Sequence, residues 1–318
     1  MAKVGVIGLG NMGSAIAEVM AFNDQTTVVT DRSMELVEKG LKNIASILDS
    51  QIKFQGNRAE KEITRLEKEG LKLSNDQKDM IRTKLKPAID ENYAKRVMSN
   101  IIVAKDYNDF SECDFVIEAA FESVEVKKDI LRELDRNMGE NGIICSNTSS
   151  LSITQLATFT GRADRCIVSH FFNPPYTLPL VEVVRGLRTS DDTYRRVMEW
   201  ISSLKNHRSM MQPVTVKEMP GFLVNRILVP MMNEAIYILD EGGASPEDID
   251  KSMKLGAGMP MGPLELCDMV GLDITLDVMN VLYEEYSDPK YRPSPLLKRM
   301  VNAGKLGRKA KEGFFKYP

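Results

Sequence analysis

KVGVIGLGNMGSAIAEVMAF, Lys3 to Phe22, joins a short apolar run to a glycine-rich turn and then to apolar residues spaced near 3.6 positions; TTVVTD, Thr26 to Asp31, is apolar again. The order is strand, tight turn, helix, strand, which is a βαβ unit. Its turn, Gly8, Gly10, Asn11, Met12 and Gly13, has the GxGxxG arrangement. The first glycine permits the tight turn, the second lets the backbone approach a pyrophosphate, and the third lets the helix pack closely. A diphosphate would rest on the helix N-terminus, where unpaired N–H groups and the positive dipole end favour an anion. Asp31, ending the second strand, suits the hydroxyls of an adenosine ribose and repels a 2′-phosphate, so NAD is expected rather than NADP. Arg32 beside it is a residue that could hold such a phosphate.

Composition bounds what else the chain can be. At 318 residues it exceeds what one hydrophobic core usually organises, so two domains are expected. With 43% hydrophobic and 27% charged residues and a net charge of -3, nothing draws it to nucleic acid or an anionic membrane. No apolar run reaches the roughly 18 residues of a membrane span, and the opening MAKVGVIG is strand-like rather than signal-like, which suggests a cytoplasmic protein. Cys113, Cys145, Cys166 and Cys267 have no CxxC spacing and suit reduced core thiols better than a metal site.

From Ser33 to about Met98 the chain becomes charged and rich in helix formers, with breaks near Gly70 to Asn75 and at Pro87. This excursion, about 33–98, is either a solvated helical hairpin or an arm over a ligand, with Lys53 and Arg58 available to an anionic tail. The sheet resumes with IIVAKD, DFVIEAA, GIICSNTSS and RCIVSHFF, separated by helical patterns. Such nearly all-apolar strands fit a parallel, doubly wound α/β sheet whose ligands gather at the carboxyl ends of the strands. Glu118, Glu122, Asn147, Ser149, His170 and Asn173 all fall at those ends and are expected to face one crevice. At EMPG, residues 218–221, the strand pattern stops. The reading is therefore a Rossmann-like NAD-binding domain over 1–217 and an all-α domain over 218–318. The first helix of the latter, with Phe222, Leu223, Val224, Ile227, Leu228, Met231, Met232, Ile236 and Leu239, is apolar around most of its circumference, which suits either the centre of a helical bundle or a subunit contact, and a homodimer is expected.

Only two histidines occur. His170, in SHFFNPP, follows an apolar strand, and 12 residues later Glu182 sits between valines in PLVEVV, where a carboxylate would be buried without a partner. A His–Glu pair supplies that partner: the acid fixes the ring tautomer and the other nitrogen exchanges a proton with a substrate hydroxyl or carbonyl. Ser149 and Asn173 can hydrogen-bond the developing oxyanion, and Asn225 could join them from the second domain. His207, in KNHRS, is read as a surface turn.

The order GLGNMGSAIA, DFVIEAAFESVEVKK, SNTSSLSI, HFFNPP, LVEVVRG, PGFLVNRIL, KLGAGMPMGPLEL and LGRKAKEGFFKY resembles the L-3-hydroxyacyl-CoA dehydrogenases nearly end to end, and within them the bacterial 3-hydroxybutyryl-CoA dehydrogenases. The resemblance implies an NAD-linked, reversible oxidation of a 3-hydroxyacyl-CoA by a Rossmann-like domain joined to a helical, dimerising domain. It puts the catalytic histidine on His170, its glutamate on Glu182, the supporting serine on Ser149 and the asparagines on Asn173 and Asn225. Cofactor contacts fall on Gly8, Gly10, Asn11, Met12, Gly13, Asp31, Ala119, Glu122, Lys127 and Asn147. Two other functions stay open on the residues alone: a dehydrogenase of a free hydroxy acid or sugar acid, and an NAD-binding protein without chemistry.

Overall fold

The structure, a computed structural model, describes residues 2–87 and 89–318. The chain forms two compact units, one ending at Thr215 and one running from Val216 to Pro318.

In the first unit β1 (Lys3–Ile7), α1 (Asn11–Phe22) and β2 (Thr26–Thr30) make the expected βαβ. The excursion follows as α2 (Met34–Gly56), α3 (Arg58–Lys68), α4 (Asn75–Lys84) and α5 (Glu91–Ser99). Then come β3 (Ile101–Val103), β4 (Phe115–Glu118), α6 (Val124–Asn137), β5 (Ile143–Ser146), α7 (Ile153–Ala157), β6 (Cys166–Phe171), β7 (Leu180–Arg185), α8 (Asp191–Ser203) and β8 (Gln212–Lys217). The strands lie in the order β3-β2-β1-β4-β5-β6-β7-β8. The pairings from β3 to β6 are parallel. Their order reverses between β1 and β4, the point in such sheets where a crevice opens beyond the carboxyl ends.

One departure from a purely parallel sheet matters: β7 runs antiparallel to β6. The sequence shows why the strands are buried but not this direction, since LVEVVR and CIVSHF are apolar on both faces and carry no alternation. The core beneath is continuous, from Val4 and Val6 of β1 through Ile16, Val19 and Met20 of α1 to Ile117, Ile143, Ile167 and Val183. Each such side chain contributes about 1.5–3 kcal/mol through burial. Cys113, Cys145, Cys166 and Cys267 are buried free thiols. Burial raises their pKa values, to about 12 at Cys145 and about 11 at Cys166.

Within the excursion α2 and α5 pack into the core of the first unit through Val37, Ile44, Leu48 and Val97, and α3 and α4 form a solvated hairpin. Helices α3 and α4 are tied by Arg82–Glu60 and Lys78–Glu67, and Arg65 bridges Glu62 and Glu69 along α3. Lys53 and Arg58 are exposed.

The second unit is helical after β8: α9 (Val224–Asp240), α10 (Pro246–Gly256), α11 (Pro263–Val270), α12 (Leu272–Tyr286) and α13 (Pro295–Asn302). Val229, Met232 and Ile236 of α9 pack with Leu264, Cys267, Met279 and Leu282 in its core. No helix among the described residues is long and apolar enough to cross a membrane.

Candidate active site

The turn between β1 and α1 is built as its glycines suggest. Gly8 has φ +89°, a conformation that L side chains rarely adopt. A Cβ on Gly13 would stand 1.7 Å from the Gly8 carbonyl oxygen, so no side chain fits there. A Cβ on Gly10 would meet nothing within 4 Å, because it faces an open cavity of about 810 Å³. That cavity is lined by Gly8, Gly10, Asn11, Met12, Asp31 and Ala119 among others, six of the expected cofactor residues. Gly10 is the N-cap of α1 and offers no side-chain oxygen to the helix, leaving the first-turn N–H groups to an incoming anion. The Asp31 carboxylate accepts the N–H of Leu9 and that of Arg32, each at 2.7 Å. Two oxygens fixed in this way keep lone pairs for ribose hydroxyls. The site fits a dinucleotide lacking a 2′-phosphate.

Glu122, Lys127 and Asn147 do not line that cavity; they build the neighbouring wall. Lys127, 1% exposed, donates to both oxygens of Glu118 at 2.7 and 2.9 Å and lies 3.2 Å from Glu122. Glu118 also accepts from the Ser146 hydroxyl and the Ala120 N–H, so the acid expected to face the crevice is instead wholly enclosed. Removing one partner of such a buried pair leaves an uncompensated charge, a cost of about 3–5 kcal/mol. Glu122 gathers the SNTSS segment, accepting from the Thr148 hydroxyl at 2.5 Å, the Ser149 N–H at 3.0 Å and both the N–H and hydroxyl of Ser150. Burial alone would raise its pKa, but the Lys127 ammonium and these donors hold it below the usual value. Asn147 accepts the Phe171 N–H at 2.9 Å, pinning this segment to the end of β6.

His170 and Glu182 meet because of the antiparallel register, in which they are direct cross-strand partners. Opposed side chains in such a ladder share a face and start only about 4.5–5.5 Å apart. His170 Nδ1 lies 2.9 Å from Glu182 Oε2, with the ring nearly enclosed and the carboxylate fully so. Since a carboxylate only accepts, Nδ1 carries the proton of this bond. The parallel register sets Ser146 beside Val168, so Ser149 and His170 emerge just beyond the paired stretch at the same sheet end. Ser149 is half-buried and Asn173 exposed. Asn225 lies in the first turn of α9, in the second unit.

His207 corrects the reading of its sequence. It is not a surface turn: its side chain is 1% exposed and its Nε2 lies 2.8 Å from Glu18 Oε1, on a carboxylate that is itself fully buried. The edge of Phe22 meets its ring at 4.3 Å. Thr148 and Glu18 are two further residues that the sequence did not single out.

Known proteins match the chain along nearly its whole length. The profile of the 3-hydroxyacyl-CoA dehydrogenase NAD binding domain matches residues 3–85 and 59–219, and that of the 3-hydroxyacyl-CoA dehydrogenase C-terminal domain matches residues 221–317. A 3-hydroxybutyryl-CoA dehydrogenase of Clostridioides difficile is 41% identical over 99% of both chains. The mitochondrial hydroxyacyl-coenzyme A dehydrogenase of Homo sapiens is 38% identical over 99% of this chain and 90% of its own. The crystal structure of (S)-3-hydroxybutyryl-CoA dehydrogenase from Ralstonia eutropha superposes with a TM-score of 0.82 at 43% identity, covering 100% of this chain and 99% of that one. With a glycine turn shaped for a dinucleotide, a buried histidine–glutamate pair at the same end of the sheet, and matches that run the length of the chain, the protein belongs to the 3-hydroxyacyl-CoA dehydrogenase family.

Proposed function

We propose that the protein is a cytoplasmic enzyme that oxidises (S)-3-hydroxybutyryl-CoA, or another short-chain 3-hydroxyacyl-CoA, reversibly to the 3-ketoacyl-CoA with NAD. The observation that carries this reading is the His170–Glu182 pair at the carboxyl end of a sheet whose switch point carries the dinucleotide turn. NAD, held by the Gly8–Gly13 turn, the start of α1 and Asp31, supplies the hydride acceptor for the substrate carbon.

The chain's own residues handle the proton. As the substrate C–O bond becomes a carbonyl, the hydroxyl proton must leave, and His170 Nε2 takes it. Glu182 holds Nδ1–H and so fixes the tautomer, and it stabilises the imidazolium that forms. In the reducing direction the same nitrogen returns the proton. General-base assistance of this kind contributes about 10²- to 10⁴-fold. Ser149 and Asn173 hydrogen-bond the substrate oxygen as its charge changes. The substrate class follows from the relatives, which are named for 3-hydroxybutyryl-CoA and hydroxyacyl-coenzyme A substrates.

Initial rates with NADH and NADPH on acetoacetyl-CoA, longer 3-ketoacyl-CoA esters and free acetoacetate test the reading. Turnover of the short thioester with NADH is expected to dominate. A preference for the free acid would replace the substrate class, and one for NADPH would overturn the part given to Asp31.

We further propose a homodimer formed through the second unit, supported by Leu223, Ile227 and Ile238 around α9 and Ile274 and Tyr283 on α12, all exposed.

A further inference from the structure

The second buried histidine–carboxylate pair takes no part in the proton chemistry described above. It lies where one hairpin meets both α1 and the connection between the two catalytic strands. After α8 the chain turns back on itself, with Lys205 bridged to Met210 and the Asn206 side chain closing the turn onto the N–H groups of Arg208 and Ser209. On one side this hairpin is fastened to α1: Asn23 exchanges two hydrogen bonds with the backbone of Lys205, and His207 reaches Glu18. On the other side it holds residues 173–179, the link from His170 to Glu182. Asn206 Nδ2 donates to the Pro175 carbonyl, the His207 N–H to the Tyr176 carbonyl, and the Gln212 N–H, just past the hairpin, to the Pro179 carbonyl. The His207 ring sits between Phe22 of α1 and Tyr176 of that link, with centroids at 4.3 and 6.3 Å.

A buried polar pair is an expensive fastener where an apolar contact would serve, because two groups must leave water. What it adds is direction: a hydrogen bond from a planar ring to a buried carboxylate fixes angle as well as distance. Helix α1 begins at the dinucleotide turn, and the 173–179 link begins at Asn173. The pair therefore stands between the 173–179 link and the helix that begins at the dinucleotide turn.

We infer that Glu18 and His207 are positioning residues for the dehydrogenase reaction, setting residues 173–179 against α1 through the 205–210 hairpin. The inference rests on the 3-hydroxyacyl-CoA reading. Misplacement of a positioning loop by about an ångström costs up to about 10²-fold in rate, so a partial release should cost roughly tenfold.

The test uses the full chain. His207→Phe keeps the ring packing and removes the bond, while His207→Gln keeps a donor for Glu18. His207→Phe is expected to lower kcat on acetoacetyl-CoA about tenfold and raise its KM, with the NADH dissociation constant within twofold of wild type, and His207→Gln to recover most of the loss. Should His207→Phe fail to fold, Asn206→Ala, which frees Pro175, carries the same expectation. A lowered melting temperature with unchanged kcat and KM per NADH-binding site would reduce the pair to a structural role and overturn the inference. Wild-type protein that binds NADH but turns over no 3-ketoacyl-CoA would overturn the substrate reading, and the inference with it.

Discussion

Residues here act through partners fixed by the fold. Glu182 is fully buried opposite His170, the place from which its proposed work on the imidazole is done. Glu182→Gln keeps the shape and can still accept the Nδ1–H bond, but it loses the charge that stabilises the imidazolium. It is expected to lower kcat by about 10²-fold or more while leaving NADH affinity intact, within the range of general-base effects; wild-type turnover would show that the imidazole works unaided. Glu122 gives a prediction in pH. Its pKa is depressed in the folded chain, so it stabilises the 148–150 segment above its unfolded value near about 4.3, and that stability is lost as pH falls through the folded value. Melting temperatures taken from about pH 5.5 down to 3 should fall less steeply for Glu122→Gln than for wild type. Parallel curves would contradict the account. The pairing of His170 with Glu182 was readable from the sequence because an acid flanked by valines needs a partner and the chain holds only two candidate imidazoles. Glu18–His207 was not: the partners stand 189 residues apart, one in an ordinary helical stretch and one in a polar KNHRS turn. Nothing local marks either as buried.

At the scale of elements, the β1–α1 turn distinguishes space from contact. Gly13→Ala must displace the Gly8 carbonyl and should destabilise the fold or prevent it, whereas Gly10→Ala has room and should fold with a near-native melting temperature. Its methyl enters the cavity, so NADH binding should weaken by about tenfold or more, the second glycine being the one that lets a pyrophosphate approach. Titration of NADH fluorescence checks this, and unchanged affinity would move the diphosphate away from α1. The βαβ opening, the excursion and most strands were legible from periodicity and glycine spacing. The antiparallel β7 was not, because a strand buried on both faces carries no imprint of its direction. The consequence is instructive, since the unforeseen direction is what sets His170 directly opposite Glu182. The enclosure of Glu118 was equally hidden, as it depends on Lys127 returning from α6.

For the molecule as a whole, two units carry the two family profiles, and the division falls within β8 after Thr215, where the sequence suggests 217. The second unit exposes Ile227 at 71% in the middle of an apolar stretch of sequence, which makes it the side chain on which the proposed dimer is tested. Ile227→Asp should convert the proposed dimer to a monomer, read as a halved mass by light scattering at micromolar protein. A wild-type mass of one chain would instead remove the dimer from the account. Dimerisation was suggested by the apolar circumference of the α9 sequence, but the burial of Val229, Met232 and Ile236 shows that much of this pattern serves the unit's own core.

The central claim concerns a proton, and kcat for acetoacetyl-CoA reduction by His170→Gln, measured beside wild type with NADH binding as the control for folding, tests it most directly. The account predicts a fall of about 10²- to 10⁴-fold with an unchanged NADH dissociation constant. Turnover within a fewfold of wild type, with NADH bound normally, would show that the proton travels by another group.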